Sequence, residues 1–140
     1  MKKQILLVVG VLIGIGFWTG SAEAQAGGVR FTVPFPFSVA GKTFAAGEYT
    51  MVAGQQRVTV LSATDGRTVA IAFANDVSGH SAGTAGRAIF HCYDSNCFLA
   101  ELWSPTEENG RQLPVSPAES ESRRERQSTY FAVLGTKRAK

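Results

Sequence analysis

Histidine, cysteine, methionine and tryptophan are each present only twice in these 140 residues, and proline five times. Two cysteines cannot build a disulfide-rich scaffold, and with two histidines they leave few residues from which to assemble a metal site. No apolar run reaches the ~20 residues that cross a bilayer as a helix. The longest, Ile5–Trp18, is shorter and is interrupted by Gly10, Gly14 and Gly16. No cysteine directly follows it, so a lipid anchor at that point is not expected. Charge of one sign is also missing from the body of the chain. Gln25–Ala118 holds six basic and seven acidic residues, whereas Glu119–Lys140 holds six basic and three acidic. The basic balance therefore belongs to the C-terminus, and no domain-wide surface for nucleic acid is expected.

Lys2 and Lys3, the apolar run, and Ala22-Glu23-Ala24 have the order of a secretory signal with an A-x-A cleavage site. Cleavage between Ala24 and Gln25 is expected, and the overlapping Ala24-Gln25-Ala26 offers a second site two residues on. The protein is accordingly expected to be exported, either periplasmic or secreted. About 116 residues would remain, enough for one core and not for two. Three regions follow: a signal over residues 1–24, a β domain over 25–128 and a basic tail over 129–140.

The densest pattern lies in Val29–Met51. Val29, Phe31, Val33, Phe35, Phe37 and Val39 take every second position, the period of a half-buried strand. Pro34 and Pro36 share a parity, so one edge of that strand lacks two donors and the strand should lie at a sheet edge. Phe31, Phe35, Phe37, Phe73 and Phe90 are expected in the core. Gly41-Lys42 marks a turn, and Asp65-Gly66 is the strongest hairpin signal. A two-residue loop there would place Val58 opposite Phe73, Val60 opposite Ile71 and Ser62 opposite Val69.

Cys92 and Cys97 bracket Tyr93-Asp94-Ser95-Asn96, a turn-forming stretch between apolar strands. A hairpin closed by one disulfide is expected, with Phe90 opposite Leu99 and Ile89 opposite Ala100. Closing so short a loop contributes only ~2 kcal/mol on the chain-entropy argument, so the bond would mainly hold register. A metal site adding His80 and His91 is the weaker alternative, because Cys-x4-Cys is not a usual zinc spacing. Ser116, Pro117 and Glu119 form a capping box for a short polar helix to about Gln127. Trp103 ends its strand and is expected half-buried.

Asn75–Gly86 is small, polar and glycine-containing, and it reads as a long loop where binding could reside, with His80 and Ser81 as candidates. Gly79-His80-Ser81-Ala82-Gly83 also matches G-x-S-x-G. A hydrolase reading would take Ser81 as nucleophile, His91 as base and Asp94 or Glu101 as the orienting acid. No helical pattern follows Gly83, and the chain is too short for an α/β-hydrolase domain. Arg123, Arg124, Arg126, Lys137, Arg138 and Lys140 form a candidate basic patch, for which a solvated face is the plainer account.

The segments VPFPFSVAGKTFAAGEY, FLAELW and a Gly-x-x-Leu run leading to SPAE resemble a family of small exported bacterial proteins of unknown function, common among acidobacteria. The likeness runs from Val29 to about Glu125. Phe44-Ala45 stands where that family usually has Leu-Pro, and Cys92 with Cys97 is an addition to its hairpin. The resemblance implies the export and the β fold, and no activity or catalytic residue.

The expected architecture is all-β: a small antiparallel sandwich or partly open barrel of about seven strands with one short C-terminal helix. The expected function is that of a non-enzymatic structural or binding module of the cell envelope, without cofactor, whose partner is an envelope protein or glycan. A serine hydrolase and an outer-membrane β-barrel are the alternatives, the latter needing strands of ~9–11 residues.

Overall fold

The computed structural model describes residues 28–79, 85–105 and 107–137. Ala24, Gln25, His80, Ser81, Arg138 and Lys140 lie outside them. In chain order the first strands are β1 (Val29–Val33), β2 (Phe37–Val39), β3 (Lys42–Phe44), β4 (Gly47–Gly54), β5 (Arg57–Ser62) and β6 (Thr68–Phe73). Then come β7 (Asn75–Ser78), β8 (Arg87–Tyr93), β9 (Asn96–Trp103), β10 (Asn109–Gln112), the helix α1 (Pro117–Glu125), β11 (Thr129–Leu134) and β12 (Thr136–Lys137).

Two sheets form a sandwich, and neither closes on itself. One has the order β12-β1-β4-β5-β6, the other β11-β8-β9-β10-β7, with the β2–β3 hairpin joined to β9 through β2. All pairings are antiparallel except β2 with β9, which is parallel at Ser38 and Phe98. The period-two residues face inward. Val29, Phe31, Val33, Met51, Val58 and Val60 from the first sheet meet Ala88, Phe90, Cys92, Leu99 and Leu102 from the second, all buried. Phe37 lies between them and contacts Phe90 and Tyr49 edge-on, at centroid separations of 5.4 and 5.1 Å.

The strands are shorter and more numerous than the sequence pattern implies, because the chain repeatedly changes sheet. Residues 29–39 are not one strand. Pro34 and Pro36 fix φ and remove donors, the ladder stops at Val33, and β2 resumes in the opposite sheet. Phe35, at the crossing, still packs against Phe90, 5.1 Å away and perpendicular. β1 also has a second neighbour, since β12 pairs with Val29 and Arg30.

Register differs at two hairpins. Ser62 N–H donates to the Arg67 carbonyl and Gly66 N–H to the Ser62 carbonyl, so the turn is wider than Asp65-Gly66 alone. A bulge between Val60 and Leu61 accompanies it, and Val58 and Val60 face Ala72 and Ala70. A one-residue slip exchanges faces. Ile71 and Phe73 therefore point outward, 58% and 60% exposed, and Phe73 is not a core residue. In the second hairpin Phe90 does face Leu99 and Cys92 faces Cys97, but a bulge after Ile89 brings Glu101, not Ala100, opposite it.

Asn75–Ser78, read as loop, and Thr129–Leu134, for which the sequence leaves both a final strand and a frayed tail open, are paired. Asn75–Ser78 is β7, bonded to β10, so the expected loop begins only after it. Thr129–Leu134 pairs with β8 over its whole length, and Gly135 N–H donates to the Gly86 carbonyl before β12 reaches β1. The β domain thus extends to Lys137, and the boundary at 128 is corrected. Alternating Phe131 and Val133 supply the inward contacts that hold this strand: Phe131 lies 5.8 Å from Phe35, and Val133 packs on the core.

Candidate functional site

The titratable side chains that come together do so where α1 meets the β8–β9 hairpin. Ser116 caps the helix: its Oγ accepts from Glu119 N–H at 3.1 Å, and Pro117 occupies the first turn. The reciprocal half of the expected capping box is not made. Glu119 instead turns onto the outer face of the second sheet, where it is 4% exposed. Its Oε1 accepts from Tyr93 Oη and from His91 Nδ1, both at 3.1 Å. A carboxylate only accepts, so Nδ1 carries the proton. Tyr130 stands edge-on to the His91 ring at 4.6 Å. Burial, then the Glu119 charge and the hydrogen bond to it, hold the Tyr93 hydroxyl above its ordinary value of 10.0.

Beside this cluster a cleft of about 340 Å³ opens between the β2–β3 hairpin, β9 and the start of α1. Val39, Phe98, Leu99, Leu113 and Pro114 form its apolar wall, and Ser38, Thr43 and Glu119 are among its polar groups. The hairpin is held in shape by a 3.0 Å bond between the Ser38 and Thr43 hydroxyls. Its turn takes Ala40 and Gly41 through positive φ, 52° and 77°. Glu119 is the one titratable residue in the cleft lining among the described residues.

Of the residues singled out from sequence, Ser81 and His80 lie outside the described residues, and the others are placed separately. Cys92 and Cys97 are disulfide-bonded and face the core. His91 is engaged by Glu119, whereas Asp94 pairs with Arg126 and Glu101 accepts from Trp103 Nε1 at 2.9 Å. Neither acid is hydrogen-bonded to the histidine. Of the basic residues, Arg123 and Arg124 are exposed on α1, and Arg126, exposed at its C-cap, is tied to the hairpin tip. Lys137 belongs to β12, beyond the far end of β11. Five steps of strand separate Thr129 from Leu134, about 17 Å, so the backbone at Lys137 lies at the other end of β11 from the arginines at the end of α1.

Trp103 is buried on the outer face, not half-buried. A Cβ on Gly79 or on Gly110 would come within 2.6 Å of its ring, and the Arg87 guanidinium lies 5.7 Å from its centre. The described end of the candidate loop is thus anchored on this tryptophan. Among the described residues no three of His, Cys, Asp and Glu converge as a metal-binding group, and no helix is long and apolar enough to cross a membrane.

Sequence reasoning missed the cleft and the second role of Glu119. The available signal was indirect: a tyrosine and a histidine on one face of a hairpin, needing a polar partner once covered. Comparison with protein-family profiles, with curated proteins and with solved structures found no match.

Proposed function

We propose that the protein is an exported, non-enzymatic binding module of the cell envelope, acting on an envelope protein or glycan. The observation that carries this reading is the chemistry of the cleft. Its walls are pre-shaped by a hairpin and a capped helix, as ligand sites usually are, and Glu119 is its one titratable group among the described residues. Oε1 of Glu119 is held by Tyr93 and His91, which fixes the carboxylate as an acceptor at the cleft wall.

Export is supported by two independent features. The N-terminal residues have the order of a secretory signal, and Cys92–Cys97 is a buried disulfide, a bond that persists in oxidising compartments. The resemblance of Val33–Tyr49 and Phe98–Trp103 to small exported acidobacterial proteins points the same way. The test is capture from the native envelope fraction with the purified protein. Recovery of a defined protein or glycan by folded protein, and not by heat-unfolded protein, is the expected result. Ester hydrolysis lost in Ser81→Ala would overturn the reading in favour of an enzyme.

A further inference from the structure

The cleft beside α1 leaves one strong acceptor open. Both bonds to Glu119 fall on Oε1, and no described residue donates to Oε2. Among the described residues His91 is the only ion-pair partner of this carboxylate, at 3.1 Å. The buried side-chain polar atoms without a partner among the described residues are Arg30 Nε and Arg87 Nε, so Oε2 keeps contact with solvent and is open to a ligand N–H, which would form a charge-assisted bond with it. The helix N-terminus would ordinarily attract an anion, but here the first turn already carries Glu119, and Ser116 Oγ accepts from the Glu119 N–H. The local charge therefore favours a cation.

Shape narrows the choice of cation. A volume of about 340 Å³ lies near the lower end of the ~300–1,000 Å³ typical of ligand pockets. Most of the lining is apolar, and Leu99, Leu113 and Pro114 share it with Glu119. The side-chain acceptors in the lining are Glu119 Oε2 and the hydroxyls of Ser38, Thr43 and Ser116, each of these hydroxyls already taking part in one hydrogen bond. An ammonium has three donors on a flexible four-carbon stem, whereas a guanidinium has five in a rigid plane and would bring more donors than these acceptors match.

We propose that this cleft receives a lysine side chain of a partner polypeptide, its stem along Leu99, Leu113 and Pro114 and its ammonium on Glu119. The proposal rests on the binding-module reading and states the chemistry of the occupant. The partner is thus a protein with an exposed lysine, and specificity lies in the pairing of an apolar stem with a terminal charge.

The probe is the peptide acetyl-Gly-Lys-Gly-amide, titrated into the purified protein and followed by backbone amide NMR. The norleucine peptide, with a similar stem and no charge, is the control. The expected result is saturable shifts at Ser38, Gly41, Thr43, Phe98 and Glu119, with the norleucine peptide at least tenfold weaker. Glu119→Gln should remove that tenfold preference. Because Glu119→Gln also loosens α1, a second variant at an exposed position, Ala118→Trp, fills the cleft from its rim and should abolish the shifts while the thermal midpoint stays within a few degrees. Equal binding of both peptides, or shifts that survive Ala118→Trp, would overturn the proposal. No shift with either peptide overturns it as well, whereas capture from the envelope fraction tests the binding-module reading separately.

Discussion

Glu119 shows how one side chain can exchange a local role for a tertiary one. A capping box would let it satisfy a backbone N–H of its own helix, but Tyr93 and His91 offer two donors on the neighbouring hairpin. Charge-assisted bonds in a buried setting outweigh a solvent-exposed cap. The raised Tyr93 value makes this testable by pH. The folded state holds the phenolic proton more tightly than the unfolded chain, so its contribution is fully present below pH 10 and is lost as pH climbs through the raised folded value. Denaturant unfolding between pH 8 and about 11.5 should therefore show wild type losing stability more steeply than Tyr93→Phe. At pH 7 the variant should be less stable by about 1–3 kcal/mol, since Glu119 loses a donor. Parallel pH curves would contradict the assignment. Trp103 supplies the second residue-scale test. Gly110→Ala drives a Cβ to within 2.6 Å of the indole, and overpacking of this kind costs about 1–3 kcal/mol. Thermal unfolding followed by tryptophan fluorescence should register it as a lowered midpoint.

At the scale of elements, the period-two pattern was informative about faces and less so about lengths and neighbours. Inward positions in β1, β5 and β8 follow directly from alternation, and so does the disulfide hairpin, where turn chemistry and cysteine spacing agree. Alternation continues across Pro34 and Pro36, however, because Phe37 is buried and Phe35 partly buried against the core as the chain changes sheets. Periodicity records burial, and a crossing that stays in the core leaves no mark on it. Bulges are equally silent. One between Val60 and Leu61 moves Ala70 and Ala72 inward in place of Ile71 and Phe73. Small residues there fit under Val58 and Val60, an arrangement that hydrophobicity alone ranks below its alternative. The C-terminal strands were obscured by exposure: β11 buries little, and its partner β8 is remote in sequence. Deleting residues 129–140 should nevertheless be severe, since it strips β8 of one whole neighbour and β1 of β12. Loss of cooperative thermal unfolding in the truncated protein is expected; a midpoint unchanged within a few degrees would return this segment to the status of a tail.

The whole molecule is a two-sheet sandwich with one helix laid against its outer face, and the helix has an anchor near each end. Glu119 holds the first turn to Tyr93 and His91, and Arg126 pairs with Asp94 just past the last turn. The second contact is exposed and contributes little by itself; the first carries the attachment. Both anchors lie on the hairpin that Cys92 and Cys97 close, so the disulfide steadies the platform on which α1 and the cleft depend. The cleft itself was not legible in the sequence, because its walls come from β2–β3, β9 and residues 113–119, which no local pattern relates. Disulfides persist mainly in oxidising compartments outside the cytoplasm, which makes the proposed export the premise of the binding-module reading. Intact-mass analysis without reductant, on protein recovered from the periplasmic or culture fraction of its native cell, tests that premise most directly. The account predicts a chain beginning at Gln25 or Gly27 and two hydrogens lighter than its reduced form; a full-length chain beginning at Met1, confined to the cytoplasm with two free thiols, would contradict it.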